Sequence, residues 1–433
     1  MKVDFVDDSE YKRRKSTKWL YTALPANIAM GPISTLIALY ILDLGGSVVN
    51  VAYAITLGTA ISIPASFFWG KVADQYKQRK LQIVLSYFCL ALSLLGFYIA
   101  RTVPGVTLFY AVYSFIIVGA ATPLNLLIIE DHPDKKWPSL FSKLQMISGV
   151  GATIGFVIAS IVTGFLRLDS LILILFVIAL CAVIGAAKWI YEPSIKFGVR
   201  FFIRSPFVYL SKIFFQPIMI MVMPGVDAVK TVIKITRSRR IVPPKLAGSP
   251  MKLLYASSFL FFIGSGFFNT VYPAGLAQTG LTKSDVFLIL LFGILVQTLT
   301  FRYSSGFIGN KSKPKVIKDS LLLRGVGYVL IGVSFFVLRG FGLFAVNSLL
   351  YLLCAGLAYA IFYTASNTLL FKFIGSGSKG SALGVYTAVM GVAGLAGALL
   401  SGYTSLYIGY WFTFSLAGVF VLASGFMFRY LPE

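Results

Sequence analysis

Twelve apolar runs, each long enough to cross a bilayer as a helix, decide what this chain can fold into. They start near Trp19, Val48, Leu81, Gly105, Leu140 and Ser170, and again near Lys252, Ser284, Val316, Phe341, Ser381 and Tyr407. A helix needs roughly 20 apolar residues to cross the hydrocarbon core. No water is available there to satisfy backbone polar groups, so only helices and closed barrels can span it. The runs are continuous and lack the alternating pattern of barrel strands, which predicts an all-α integral membrane protein. Six runs, a basic stretch and six more runs predict two pseudo-symmetric six-helix bundles. The expected organisation is a cytoplasmic tail over 1–17, an N-terminal bundle over 18–190, a linker over 191–251 and a C-terminal bundle over 252–433.

Composition agrees. Only 12% of the 433 residues are charged and 58% are hydrophobic, whereas a soluble domain carries about 25% charged residues. Most of the surface must therefore meet lipid. The segment from Met1 to Lys18 is too polar for a cleavable signal peptide, and the run behind it is long enough to span. Cys89, Cys181 and Cys354 sit in separate apolar runs, as small buried or lipid-facing residues do, so neither a disulfide nor a metal site is expected. His132 is the only histidine, which excludes an HExxH zinc site and any histidine-based catalytic triad. No cofactor and no enzymatic activity are expected.

The net charge of +23 would suggest nucleic acid in a soluble protein, but the positions of the cations point to membrane headgroups. With the N-terminus inside, only Arg101, Arg167, Lys283 and Arg339 lie on the outer side, and the rest of the 38 cations on or near the inner side. That asymmetry is the positive-inside pattern, and Trp19, Trp69, Trp137 and Trp189 fall near inner edges where amphipathic rings anchor. The expectation is a multi-pass protein of the cell membrane with both termini cytoplasmic. Within the linker, Phe207 to Gly225 is apolar, yet Lys212, Gln216, Pro217 and Pro224 argue against a thirteenth span. Amphipathic helices on the inner surface are expected, with Arg200, Arg204, Lys230, Lys234 and Arg237 to Arg240 at anionic headgroups. A disordered basic linker is the alternative.

Between the second and third runs the chain reads G-K-V-A-D-Q-Y-K-Q-R-K, which sets Gly70, Asp74, Arg79 and Lys80 in one short loop. The glycine permits close helix approach, and the acid and bases can make a polar contact that breaks again. A weaker copy with the same spacing, Gly306, Asn310 and Lys315, lies between the eighth and ninth runs. The first loop resembles the signature of major facilitator superfamily transporters, G-x-x-x-D-x-x-x-x-R-K/R, and the second copy is what duplicated halves would leave. Gly119 to Pro123, Glu130-Asp131 and Lys135-Lys136 add a looser likeness around the loop joining helices 4 and 5. The resemblance implies alternating access, with helices 2, 5, 8 and 11 forming the interface between the halves. Gly149, Gly151, Gly155 and Gly164 in helix 5, and Gly391, Gly394, Gly397 and Gly402 in helix 11, suit close packing in lipid. Where the family's antiporter element has a proline, this chain has Phe156, which argues against drug/proton antiport.

The same resemblance implies a cavity lined mainly by helices 1, 4, 7 and 10. Those helices carry Asn27, Thr35 and Tyr40; Tyr113, Thr122 and Asn125; Asn269 and Tyr272; and Tyr359, Tyr363 and Asn367, and Gln297 on helix 8 is expected to join them. A polar group at membrane depth must face protein or a wet cavity; a plain helix–helix hydrogen bond is the other reading for each. On these span edges no Asp, Glu, Lys or Arg falls near a helix centre. A central charge costs roughly 2.5–3.5 kcal/mol and usually marks a site, so a neutral or amphiphilic solute is expected. Asp43 and Glu130, at the ends of cavity helices, are the candidates for proton coupling. The expected function is a secondary active transporter or facilitator for a small molecule, monomeric as is the family default, with no nucleic-acid partner. A receptor or scaffold, and a membrane glycosyltransferase, are the rival readings. Nucleotide-driven pumping is disfavoured because Gly375 to Ser381 lacks P-loop spacing.

Overall fold

The computed structural model describes the backbone of residues 17–76, 78–131, 137–191, 250–308, 312–373, 379–428 and 430. The tail 1–16 and the linker 192–249, with its question of a thirteenth span at Phe207 to Gly225, lie outside the described residues. Among the described residues twelve helices are long and apolar enough to cross a membrane, and no strand occurs. The first bundle holds α1 (Thr17–Asp43), α2 (Val48–Tyr76), α3 (Arg79–Ile99), α4 (Val103–Asp131), α5 (Trp137–Phe165) and α6 (Leu168–Trp189). The second holds α7 (Pro250–Gln278), α8 (Lys283–Ile308), α9 (Lys313–Val337), α10, α11 (Lys379–Tyr407) and α12 (Tyr410–Phe428). α10 runs as Gly340–Tyr351, a π-helical turn Leu352–Leu357, and Ala358–Phe373. All twelve begin within three residues of the starts read from the sequence.

Every major packing pair in one bundle has its counterpart six helices later. α1 packs on α5 and α6, as α7 packs on α11 and α12; α3 packs on α4 and α6, as α9 packs on α10 and α12. Glycine makes the first of these pairs so close: a Cβ on Gly155 would strike the Ile28 carbonyl of α1, and one on Gly397 would strike the Ile263 carbonyl of α7. The turns repeat too. Gly45 and Gly280, at φ of 81° and 93°, end α1 and α7. Asn50 then accepts from the Ser47 N–H at 2.9 Å and Asp285 from the Thr282 N–H at 3.0 Å, capping α2 and α8 in the manner of a capping box.

Across the bundles α5 packs on α8 and α2 on α11, the interface that the resemblance implied. Outward faces are apolar, as lipid requires. α6 buries one stripe (Leu171, Ile172, Leu175, Ala179, Ala182 and Ala186) and turns Leu173, Val177 and Ile184 outward.

Candidate functional site

A cavity of about 500 Å³ lies between the two bundles, within the size range of small-molecule sites. The first bundle supplies small and apolar groups: Gly31, Ser34 and Thr35 of α1, Ile55 and Thr59 of α2, and Phe156 of α5. Gly31 and Pro32 interrupt α1 here. A Cβ on Gly31 would stand 2.8 Å from the Ala152 Cα of α5, and Pro32 has no N–H to continue the ladder. The second bundle supplies most of the polar groups, among them Asn269, Gln297, Tyr351 and Tyr359. Pro273, also in the wall, lacks the N–H that would bond the Asn269 carbonyl four residues back. The π-helical turn of α10 brings Ala355 to the wall between the two tyrosines, a distortion often found at functional sites.

Arg324 of α9 also lines this cavity. It sits near the middle of Lys313–Val337 and is 2% exposed. The expectation that no charge lies near a helix centre is therefore wrong, and the neutral solute inferred from it loses its support. The guanidinium is wrapped by aromatic rings: its carbon lies 5.3 Å from the Phe261 centroid, 5.1 Å from Tyr328 and 4.9 Å from Tyr359. Such cation–π contacts contribute about 2 kcal/mol when desolvated, which offsets much of the insertion cost of roughly 2.5–3.5 kcal/mol for a central charge. Nε and Nη1 are buried without a hydrogen-bond partner among the described residues.

The end of the molecule away from the chain termini is closed. Asp43, at the end of α1, forms an ion pair with Lys283 at the start of α8. The Ser160 and Ser284 hydroxyls meet at 3.1 Å between α5 and α8, and the Tyr53 and Tyr403 hydroxyls meet between α2 and α11. The contact continues inward: a Cβ on Gly391 of α11 would stand 3.0 Å from Ile63 of α2, and one on Gly149 of α5 would stand 2.8 Å from Thr298 of α8. Beside this closure, the Tyr40 hydroxyl and the Asp169 carboxylate raise the Arg101 pKa above its ordinary value. At the other end Arg79 is buried and donates to the Ala73 carbonyl.

The profile of the Major Facilitator Superfamily matches residues 19–398. The chain belongs to this superfamily. No curated protein matches it in sequence. Among solved structures it is similar to a proton dependent oligopeptide transporter (TM-score 0.71, 14% identity, 96% of this chain and 98% of that one). It is also similar to the nucleoside transporter NupG (TM-score 0.69, 12% identity, 96% and 99%) and to the peptide transporter POT (TM-score 0.68, 12% identity, 95% and 93%). At such identities the likeness is one of fold.

Within that facilitator fold the expected cavity residues separate. Thr35, Asn269, Tyr272, Gln297 and Tyr359 line the cavity. Asn27 does not; it donates to the Ala23 carbonyl at 2.8 Å and to Ser148 at 3.2 Å, tying α1 to α5. Tyr40 is buried and donates to the Ala100 carbonyl at 3.2 Å. Tyr113 packs inside the first bundle against Tyr110, with ring centroids 5.8 Å apart. No α4 residue is in the described wall of this cavity; Thr122 is half-buried and Asn125 exposed. Tyr363 is exposed outside the cavity, its ring 5.9 Å from Tyr359. The side chains of Asn367, Asp74 and Glu130, and the whole of Asn310, lie outside the described residues. Of the gating residues, Gly70 has open space around it, Lys80 is half-buried and Lys315 exposed, and Gly306 lies in the last turn of α8.

Proposed function

We propose that the chain is a secondary transporter or facilitator that carries a small solute across the cell membrane by alternating access. One observation carries the reading: a cavity between the bundles, with bundle-to-bundle contacts closing the terminus-distal end. A solute in such a cavity meets only one side of the membrane at a time, and rocking the bundles exchanges the sides. The positive-inside pattern supports cytoplasmic termini, which makes the closed end the outer one. In the outward-facing state Asp74 and Arg79 would clamp the inner end. Asp43 remains a candidate for proton coupling, because neutralising it removes the ion pair that holds the outer end shut. A monomer resting its basic linker on anionic headgroups completes the proposal.

The test is a reversible lock. With Cys89, Cys181 and Cys354 replaced, Ser160→Cys with Ser284→Cys should form a disulfide on oxidation. Uptake into proteoliposomes should then stop and return on reduction. Uptake that continues with the disulfide formed would refute alternating access through this interface.

A further inference from the structure

The transporter reading leaves open what enters the cavity, and one side chain speaks to that. Arg324 carries a permanent positive charge and five N–H donors. Two of its nitrogens, Nε and Nη1, are buried without a hydrogen bond among the described residues, and the neighbouring Tyr328 hydroxyl, itself unbonded, offers a neutral acceptor at most. The rings of Phe261, Tyr328 and Tyr359 steady the charge, but a ring face is a poor hydrogen-bond acceptor. The wall holds no carboxylate among the described residues, so the one charge facing the cavity has no counter-charge there. Ser265, in the same wall, likewise has a buried hydroxyl without a partner. Charge-assisted bonds from arginine to an oxyanion are the strong ones, and a buried ionisable group at membrane depth is retained for a purpose.

We infer that the cavity binds a small organic anion whose carboxylate or phosphate pairs with Arg324 and whose apolar body lies against the Phe261, Tyr351 and Tyr359 rings. This rests on the transporter reading and names its substrate class. A cationic solute meets repulsion here with no acid to answer it. An uncharged solute offers the guanidinium a neutral acceptor at most and leaves its charge unanswered.

Five compounds sharing one ring and differing in charge test the inference by thermal stabilisation of the detergent-purified protein: benzoate, phenyl phosphate, benzamide, benzyl alcohol and benzylamine. Benzoate or phenyl phosphate should raise the melting temperature with dose, and which of the two does so separates a carboxylate from a phosphate site. The amide, alcohol and amine should bind at least about 30-fold more weakly, as the loss of one charge-assisted partner implies. Arg324→Gln should lose the anion effect by a similar factor, and its ligand-free melting temperature should equal or exceed that of the wild type, because an unanswered buried charge is gone. A purely structural arginine would instead lower it. Equal stabilisation by benzamide, anion binding retained in Arg324→Gln, or no stabilisation by either anion overturns the inference. Should Arg324→Gln fail to fold, the acid-to-amide comparison on the wild type still decides. Anion binding without proteoliposome flux would sink the transporter reading and leave the site; flux of an uncharged solute without anion binding would do the reverse.

Discussion

Removing the Asp43–Lys283 pair should loosen the closed end by a small and calculable amount. The two side chains are 37% and 36% exposed, so water reaches both. Exposed pairs contribute 0.2–1 kcal/mol; taking ~0.8 kcal/mol, Asp43→Asn shifts the ratio of open to closed outer ends about four-fold. The Ser160–Ser284 bond beside it belongs to a class that averages about 0.6 kcal/mol in membranes. The closure is thus a sum of weak contacts, as a gate that must open requires. The assay is the rate at which a membrane-impermeant maleimide, added on the terminus-distal side, modifies Thr35→Cys in a background without native cysteines. Thr35 lines the cavity, so its reactivity reports opening. Asp43→Asn should raise the rate about four-fold, and the swapped pair Asp43→Lys with Lys283→Asp should restore it. An unchanged rate would mean the pair holds nothing. A rise of a hundred-fold would mean that one contact dominates, against the reasoning from exposure.

Other expectations follow from the packing and the loop motif. Asn347 accepts from the Tyr272 hydroxyl at 3.0 Å and donates to Ser334 at 3.0 Å and to the Leu343 carbonyl at 2.9 Å. Asn347→Ala strands these groups and should cost about 1–2 kcal/mol, read as a lower melting temperature. Gly155→Leu should abolish folding, because even a Cβ there strikes the Ile28 carbonyl; recovery of monodisperse protein in normal yield would contradict the packing. Asp74→Asn should leave insertion and melting temperature intact while cutting the initial rate of transport strongly. Asp43→Asn combined with Glu130→Gln should abolish accumulation driven by a pH gradient, and full accumulation would remove both residues from coupling.

Much of this molecule can be read in its sequence, because lipid leaves little choice. The span starts follow from length and apolarity alone, and the α2–α11 and α5–α8 interface follows from the family resemblance. Asn269 and Gln297, amides set in otherwise apolar runs, do reach the cavity wall. The site is misread where the polar group is spent locally: Asn27 ties α1 to α5 and Tyr40 bonds the Ala100 carbonyl, and neither bond is visible before the fold brings its partner near. Arg324 is hard to place from sequence for a related reason: with α9 begun at Val316 rather than Lys313, it counts among the cations on or near the inner side. What lets it lie deeper is supplied partly by other helices, through Phe261 of α7 and Tyr359 of α10. The wall also depends on small residues such as Gly31 and Ala355, which carry no chemical signal in the sequence.

Rocking of the two bundles about this cavity is tested most directly by one distance. Nitroxide labels on Thr102 and Phe341, both exposed at the terminus-distal end of opposite bundles, report their separation by double electron–electron resonance in lipid nanodiscs. Two distance populations are expected, the shorter one matching the closed terminus-distal end. The longer one should gain weight in Asp43→Asn. A single distribution, unchanged by that substitution and by benzoate or phenyl phosphate, would contradict the rocking.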